Sequence, residues 1–428
     1  MRKHIKMLFK LMLGSILLSC LSPTHFNIMA AEINYPVPCY QGDELKKVRQ
    51  WEQKWAGNKI DATNIDKIKD LLPDTYYELY KNTEKWGENW FKIVPYRQIK
   101  PTKGLLEATQ KYNGVCSIGP KSELHNWVAG IPFPNPKNAI EIGQNFSVSE
   151  NHGDNVYKET IAKVVDGVKR YDRNVGFKQY YMWFIGRTEI PPIPAITPNP
   201  KGIWRAHQSE WVNPATLRGS RLLNIKWVDE SKDYGMWEFS FGTRRVMRKT
   251  TAARQDMRGG ADNCADDERV FDYTLSVMKL KLLGRKEYLL PRHVNAQEIW
   301  ANHKEGHCID SGAGRERINA YIVEAVHKDP NYLYSRQVWY IDPETWWIIY
   351  AEKYDREGKL WKIFDYMQTT GKLLTTGEEI PWLSYATTVD VQRSHSTTGL
   401  YADEKLGTTG AKWRQSFYAP DGLLKYGY

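Results

Sequence analysis

The chain has 428 residues, of which 41% are hydrophobic and 26% charged, with a formal net charge of +10. That composition excludes a disordered or fibrous protein, and the length allows one large domain or two ordinary ones. Mean hydropathy is -0.60, and past the N-terminus no apolar run approaches the ~20 residues of a membrane-spanning helix.

The first 30 residues read as a targeting segment. Arg2, Lys3, Lys6 and Lys10 form a positive region, and Leu11–Leu18 is an apolar run too short to span a bilayer. Two processing sites compete. Ile28-Met29-Ala30 would leave Ala31 as the first residue; Leu17-Leu18-Ser19-Cys20 resembles a lipobox with Cys20 as the acylated residue. Plain secretion is the favoured reading, lipidation the second and an uncleaved anchor the third. Removal of the segment lowers the formal charge from +10 to +6. The remaining basic residues are dispersed, which argues against a nucleic-acid partner. Four cysteines then remain, Cys39, Cys116, Cys264 and Cys308. An even set in an exported chain predicts disulfides, with three possible connectivities. Cys39–Cys116 and Cys264–Cys308 are preferred because each pair stays within one half of the chain.

Residues 43–90 carry helical signals. Ile65, Ile68 and Leu72 share one face of a helix that Thr63 or Asn64 caps and Pro73 ends. Such a helix packs on a core or, as a second reading, covers a groove as a lid. From Val115 the pattern turns to strands. Thr160–Val165 and Val168–Tyr171 flank Asp166-Gly167, a hairpin dipeptide, with a short helix as the alternative. Residues 187–215 are proline-rich and read as an irregular crossing. The second half is an antiparallel meander. Leu223, Ile225 and Trp227 alternate with Asn224 and Lys226; Trp237, Phe239 and Phe241 alternate with Glu238 and Ser240; Met278, Leu280 and Leu282 alternate with lysines. Val338 and Tyr340 lead into the turn Asp342-Pro343-Glu344-Thr345, and Trp346, Ile348 and Tyr350 lead out. Trp347 and Ile349 make that strand apolar on both faces. The expected fold is mainly β (α+β): a large curved antiparallel sheet or open barrel with one buried face.

Catalytic motifs are not found. There is no Gly-x-Ser-x-Gly, phosphate-binding glycine loop or His-Glu-x-x-His. Three clusters carry residue types that could do chemistry. His303 and His307, four apart beside Cys308, suit zinc less well than an exposed loop, because Gly306 weakens a helix. Asp262, Asp266, Asp267 and Glu268 offer oxygen ligands without the spacing of a calcium loop, so a solvated loop tied by Cys264 is expected. Arg244-Arg245-Val246-Met247-Arg248-Lys249 is either a site for an anionic partner or a charge-protected strand edge. No metal and no cofactor are expected.

Several stretches resemble the bacterial exported family DUF1329, of unknown function and described as outer-membrane lipoprotein-sorting-like. They include Ala108-Thr109-Gln110-Lys111-Tyr112, the run Ala129–Pro134 with Pro136-Lys137-Asn138, and Asn213-Pro214-Ala215 with Arg218-Gly219. Trp237–Arg248 and Leu283-Gly284-Arg285-Lys286-Glu287 with Pro291 add to these, and Arg336–Trp346 continuing through Tyr354–Trp361 is the most specific. Cys264 interrupts a stretch that is rich in Gly, Thr and Asp in the family, and the match before residue 100 is loose. The resemblance implies a half-barrel like that of the periplasmic lipoprotein carriers LolA and LolB, with N-terminal helices packed at its mouth. It also implies association with a resistance-nodulation-division-type exporter. It supplies no catalytic residues.

These readings give a targeting segment over 1–30, a helical segment over 31–100 and a LolA-like β domain over 101–428. The expected protein is a periplasmic, non-enzymatic carrier of a lipid or other hydrophobic molecule, associated with the membrane peripherally or through a lipid on Cys20. The expected groove residues are Leu223, Ile225, Trp227, Trp237, Phe239, Phe241, Trp346, Ile348 and Tyr350. The rival readings are a structural adaptor of the envelope with a filled core and, less favoured, a hydrolase with an unrecognised site.

Overall fold

The alternating segments become strands of one large sheet. The computed structural model describes residues 35–149, 153–167, 171–257, 259–303, 308–410 and 413–425. The targeting segment with Cys20, the 168–170 part of the expected hairpin, and His307 lie outside them.

The N-terminal part holds α1 (Gly42–Trp55), β1 (Lys59–Asp61), 3-10 turns over Ile65–Leu71, α2 (Asp74–Lys81), α3 (Thr83–Trp86) and β2 (Trp90–Ile93). It continues through α4 (Lys103–Lys111), β3 (Ser117–Ile118), β4 (Leu124–His125) and α5 (Ala139–Val148). The helical signal over 43–90 is thus broken into pieces. Gly57 at φ 86° ends α1 in a conformation that suits glycine, and the chain then forms β1 against β2. Ile65, Ile68 and Leu72 are all buried, although the backbone there is 3-10 with a kink at Ile68.

Thirteen longer elements follow: β5 (Asn155–Asp166), β6 (Tyr171–Trp183), β7 (Ile203–Asn213), β8 (Arg221–Trp227), β9 (Gly235–Ser240), β10 (Arg245–Arg248), β11 (Met278–Pro291), β12 (Ala313–His327), β13 (Arg336–Ile341), β14 (Ile348–Tyr354), β15 (Leu360–Lys372), β16 (Glu379–Asp390) and β17 (His395–Leu406). Helix α6 (Ala296–Asn302) lies between β11 and β12, and α7 (Gly422–Lys425) ends the described chain. The irregular proline-rich crossing is shorter than expected, because residues 203–213 form β7.

The sheet is open. From β11 it runs through β12 to β17 in sequence, then β17 pairs with β5, and β5 to β10 complete the path. All of these pairs are antiparallel; β2, with β1 beside it, adds a parallel pair at the start of β12. The Arg245–Arg248 stretch is the terminal strand of this path, with three of its four residues exposed, as expected of a charge-protected edge.

The sheet curls strongly. Register shifts interrupt eight of its strand pairings, and each such bulge adds local bend and twist. The curl closes around residues 254–277. That segment folds back on itself where Asp272 N–H donates to the Asp266 carbonyl (2.9 Å). Yet Asp272 is ion-paired to Arg205 on β7 and Asp267 to Lys353 on β14, six places away along the sheet. Six strand spacings in a flat sheet are about 29 Å, so the sheet wraps around the segment to bring both within reach.

The outer face is covered by the chain's own ends. Leu223, Ile225 and Phe239, with Tyr180 and Met182, pack beneath Phe417, Tyr418 and Leu423 of the C-terminal segment. The N-terminal helices cover the other half: Tyr76 of α2 meets the Tyr350 ring edge-on at 5.4 Å, and Thr75 shares a 2.8 Å hydrogen bond with the Tyr350 hydroxyl.

Candidate ligand-binding site

The segment enclosed by the curl is a charged plug. Asp262, Asp266, Asp267 and Asp272 are all at most 5% exposed. The acidic run is therefore not the solvated loop its composition suggests. Each acid meets a cation or imidazole, supplied by the plug itself at Asp266 and by the surrounding sheet at the others. Asp266 pairs with Arg254 (2.7 Å), Asp267 with Lys353 (2.5 Å) and Asp272 with Arg205 (2.8 Å). Tyr332 and Tyr334 donate to Asp266 and Asp267 (3.2 and 2.9 Å). Burial alone raises a carboxyl pKa. Lys353 and Lys362 outweigh burial at Asp267 and hold it below its ordinary value, whereas at Asp266 burial outweighs Arg254 and the pKa is raised.

Asp262 ties the plug to the start of β17. Its two oxygens lie 2.7 and 2.8 Å from His395 Nδ1, and Thr397 Oγ1 donates to it (2.8 Å). Hydrogen bonding to Asp262 raises the His395 pKa against the opposing effects of burial and Arg393, with Asp166 adding to the rise. A folded-state pKa above the unfolded ~6.5 gives stability that is complete below pH ~6.5 and lost as pH rises through the folded value. The melting temperature of the native chain should therefore exceed that of His395→Gln most at pH 5–6, and the gap should narrow above pH 8. A gap that widens with pH would contradict the Asp262–His395 tie.

Hollows remain between plug and sheet. One, about 540 Å³ counted out to its mouth, is walled by Phe146, Tyr181, Trp183, Trp347, Tyr366 and Trp382, with Val156, Ile348 and Leu383 between them. Its charged members are Lys158, Glu268 and Arg269. Lys158 bonds Glu268 (3.3 Å) and lies over the Tyr181 and Tyr401 rings; Tyr181 donates to Glu268 (2.7 Å). Arg269 lies over Phe146 and Trp347, at 4.9 and 5.8 Å from the ring centres, and burial pushes its pKa down to about 9. Arg269 and Val270 both have positive φ, 54° and 75°. For a β-branched residue that is a strained conformation of order 1–3 kcal/mol. It persists because the Val270 carbonyl accepts from Lys353 Nζ at 2.6 Å, and it turns Arg269 into the hollow.

The second hollow is an open cleft of about 1650 Å³ counted out to its mouth, which shares Glu268 and Tyr366 with the first. Residues of β16 and of β9 both line it, including Thr388 and Glu238. Its wall mixes Phe177 and Trp211, whose ring centres are 4.3 Å apart, with Gln179, His207, Ser209 and Asn224.

The expected groove residues divide. Leu223, Ile225, Trp227, Trp237 and Phe239 belong to the outer core beneath the C-terminal segment, and Phe241 is 46% exposed. None of these six lines either hollow; their alternates Asn224 and Glu238 line the cleft. Ile348 lines the aromatic hollow, Trp346 a neighbouring pocket, and Tyr350 packs under α2. The apolar face of β8 and β9 is thus the outward one, because the C-terminal segment supplies its cover. The lining residues Trp183, Trp382, His207 and Asn224 were missed. A signal for the plug existed: cations such as Lys353 sit inside otherwise apolar strands, which calls for buried acids elsewhere.

The disulfide expectation is corrected: all four cysteines are free. They occupy separate surroundings. Cys39 N–H donates to Glu344 (2.8 Å), Cys116 is half-exposed beside β3, Cys264 caps the turn holding Asp267, and Cys308 Sγ donates to the Gly167 and Ser394 carbonyls (3.5 and 3.3 Å). His303 is buried rather than on an exposed loop, with Nε2 3.9 Å from Asp310. Among the described residues, the acid–thiol group close enough to share an ion is Cys39, Asp342 and Glu344. The Arg292 guanidinium already lies 3.2 Å from Asp342 and 2.5 Å from Glu344.

The fold and lining define a mostly β protein whose open sheet curls around a charged plug and leaves an aromatic hollow beside a polar cleft. The chain belongs to the DUF1329 family of proteins of unknown function, whose model matches residues 59–423. It is 22% identical over 350 residues to an uncharacterized protein of Pseudomonas aeruginosa, covering 78% of this chain and 72% of that one. Among solved structures, a DUF1329 family protein from Desulfovibrio piger is similar at 15% identity and TM-score 0.47, over 66% of this chain and 96% of that one. A LolA superfamily protein from Nitrosomonas europaea is similar at 13% identity and TM-score 0.41, over 67% and 100%. No helix among the described residues is long and apolar enough to cross a membrane.

Proposed function

We propose that this protein is a non-enzymatic carrier in the bacterial envelope that shelters the apolar chain of an amphiphile inside its curled sheet. The observation that carries this reading is the hollow walled by six aromatic rings and joined to an open cleft. Ligand pockets are commonly mostly apolar with a few placed polar groups. Burying methylenes yields ~0.8 kcal/mol each, so a twelve-carbon chain gains roughly 9 kcal/mol before the cost of immobilising it. Set against an association cost of at least ~4 kcal/mol, that leaves about 5 kcal/mol at most, so the tail alone binds no tighter than roughly 0.1 mM and release is easy.

The periplasmic location rests on residues 1–30, with peripheral or Cys20-linked membrane association as its two forms. The exporter partner rests on the family resemblance alone. Filling the hollow tests the carrier reading. Val156 on β5 lines it and is 2% exposed. Val156→Phe should lower the affinity for a fluorescent fatty acid at least about tenfold, equivalent to ~1.4 kcal/mol, while the protein stays folded by circular dichroism. Unchanged uptake by the folded variant would remove this hollow as the site.

A further inference from the structure

We infer that the cleft beside the aromatic hollow binds the neutral, hydroxyl-bearing head of the amphiphile, a saccharide or similar polyol, through His207 and Asn224. This rests on the carrier reading and adds the chemical class of its cargo.

The argument begins with Gln179. Its Oε1 accepts from Thr160 Oγ1 (2.9 Å), so the other side-chain atom is the amide NH2, a donor only. That NH2 lies 3.0 Å from the Tyr181 hydroxyl and 3.4 Å from His207 Nε2. His207 Nε2 therefore accepts. The imidazole is neutral: burial pushes its pKa down to about 3, with Glu268 opposing and Arg205 and Lys158 reinforcing the shift. A neutral ring that accepts at Nε2 carries its proton on Nδ1. The ring is held in place by stacking on Tyr181, with centres 4.0 Å apart and planes 5° apart.

Asn224 is the direct cross-strand partner of His207 in the β7–β8 pairing. Directly opposed side chains on one face start ~4.5–5.5 Å apart. Asn224 is 6% exposed, and its Oδ1 is buried without a hydrogen-bond partner among the described residues. Leaving such an acceptor unmade costs stability, which is a reason to look for a missing donor. The pairing thus brings an imidazole N–H and an unpaired amide oxygen to opposed positions on the cleft wall. A hydroxyl satisfies both at once, accepting from Nδ1–H and donating to Oδ1. A carboxylate or phosphate ester lacks the proton that Asn224 needs, and an ammonium cannot accept from His207.

The rest of the cleft fits a hydroxylated ring. Phe177 and Trp211 offer an apolar platform for its C–H face, Ser209 offers a further hydroxyl, and at the wall Lys249 and Glu238 neutralise each other at 3.1 Å. Glu268 and Tyr366 border both hollows. A head in the cleft can thus continue into a tail among Phe146, Trp183 and Trp382.

Isothermal titration of the full chain with dodecyl β-maltoside below its micellar concentration, with dodecanoate and with maltose tests this. The maltoside should bind about tenfold or more tighter than dodecanoate, as expected for one or two well-made hydrogen bonds. Asn224→Leu and His207→Phe should each weaken the maltoside about tenfold and leave dodecanoate unchanged. Maltose binding that is lost in Asn224→Leu would support the same pair with free saccharide as its source; binding of the maltoside alone would assign a lipid-borne head. Ligand-free Asn224→Leu should melt no lower than the native chain, since it removes an unpartnered buried amide oxygen; a lower melting temperature would show a structural partner and overturn the assignment. Equal affinity for both dodecyl probes, or variants without effect, would overturn the head site and leave the carrier intact. If neither dodecyl probe binds, the carrier reading itself fails.

Discussion

Arg292→Met is expected to destabilise the folded chain by about 3–5 kcal/mol, the cost of leaving buried charge unpaired. Arg292 has no exposed surface and lies within 4.0 Å of Glu316, 3.2 Å of Asp342 and 2.5 Å of Glu344. Glu344 in turn accepts from the backbone N–H groups of Cys39 and Ile99, both at 2.8 Å, and from the Tyr96 hydroxyl. One guanidinium thus holds the turn between β13 and β14 together with two N-terminal segments. Burial pushes the Asp342 pKa up even with Arg292 beside it. Without Arg292 the three carboxylates face one another across a dry site. Arg292→Lys should rescue little, because an ammonium cannot reproduce the planar fork. Urea unfolding monitored by tryptophan fluorescence gives the difference directly; a loss below about 1 kcal/mol would show that the cluster hydrates or rearranges freely.

Lys353→Met should have an effect of similar size through the plug. Lys353 Nζ reaches both Asp267 Oδ1 (2.5 Å) and the Val270 carbonyl (2.6 Å), and both side chains of the ion pair are at most 1% exposed. Removing the cation leaves a buried carboxylate and frees the strained Arg269–Val270 backbone. A double-mutant cycle separates the pair from the rest. Lys353→Met with Asp267→Asn should cost less than the two single changes added together, with a coupling of at least about 1 kcal/mol. The Asp267 pKa is lowered in the folded chain. Its contribution is therefore present above the unfolded value of ~3.9 and disappears as pH falls through the folded value. The native chain should keep its advantage over Lys353→Met down to about pH 4 and lose it below that. Additive single changes would mean that the plug is held mainly by other contacts.

The meander was legible because alternation has a period of two and its turns carry Gly and Asp-Pro signals. Leu223-Asn224-Ile225-Lys226-Trp227 forms β8 within the expected bounds, and Trp346–Tyr350 leads into a strand buried on both faces. The side that faces the hollow was not legible from the same residues. A rule that points apolar residues toward the ligand misplaces β8 and β9, since their apolar face is covered by Phe417, Tyr418 and Leu423 from nearly 200 residues away. The plug was hidden for a related reason. Asp267 and Lys353 are 86 residues apart, so local composition shows an acidic run and nothing of the cation that buries it. Helical spacing recovered the buried face of Ile65, Ile68 and Leu72 but not the break at Gly57 that lets β1 and β2 join the sheet. The even cysteine count carried no geometric information, and the four thiols lie in unrelated surroundings.

The carrier account is tested most directly by native mass spectrometry of the protein purified from the cells that produce it, followed by extraction and identification of whatever is bound. The account predicts one amphiphile per chain, with a hydroxyl-bearing neutral head and at least one alkyl tail, lost on unfolding and reduced in Val156→Phe. A folded protein that carries no amphiphile and takes up none when supplied with dodecyl β-maltoside or dodecanoate would contradict it.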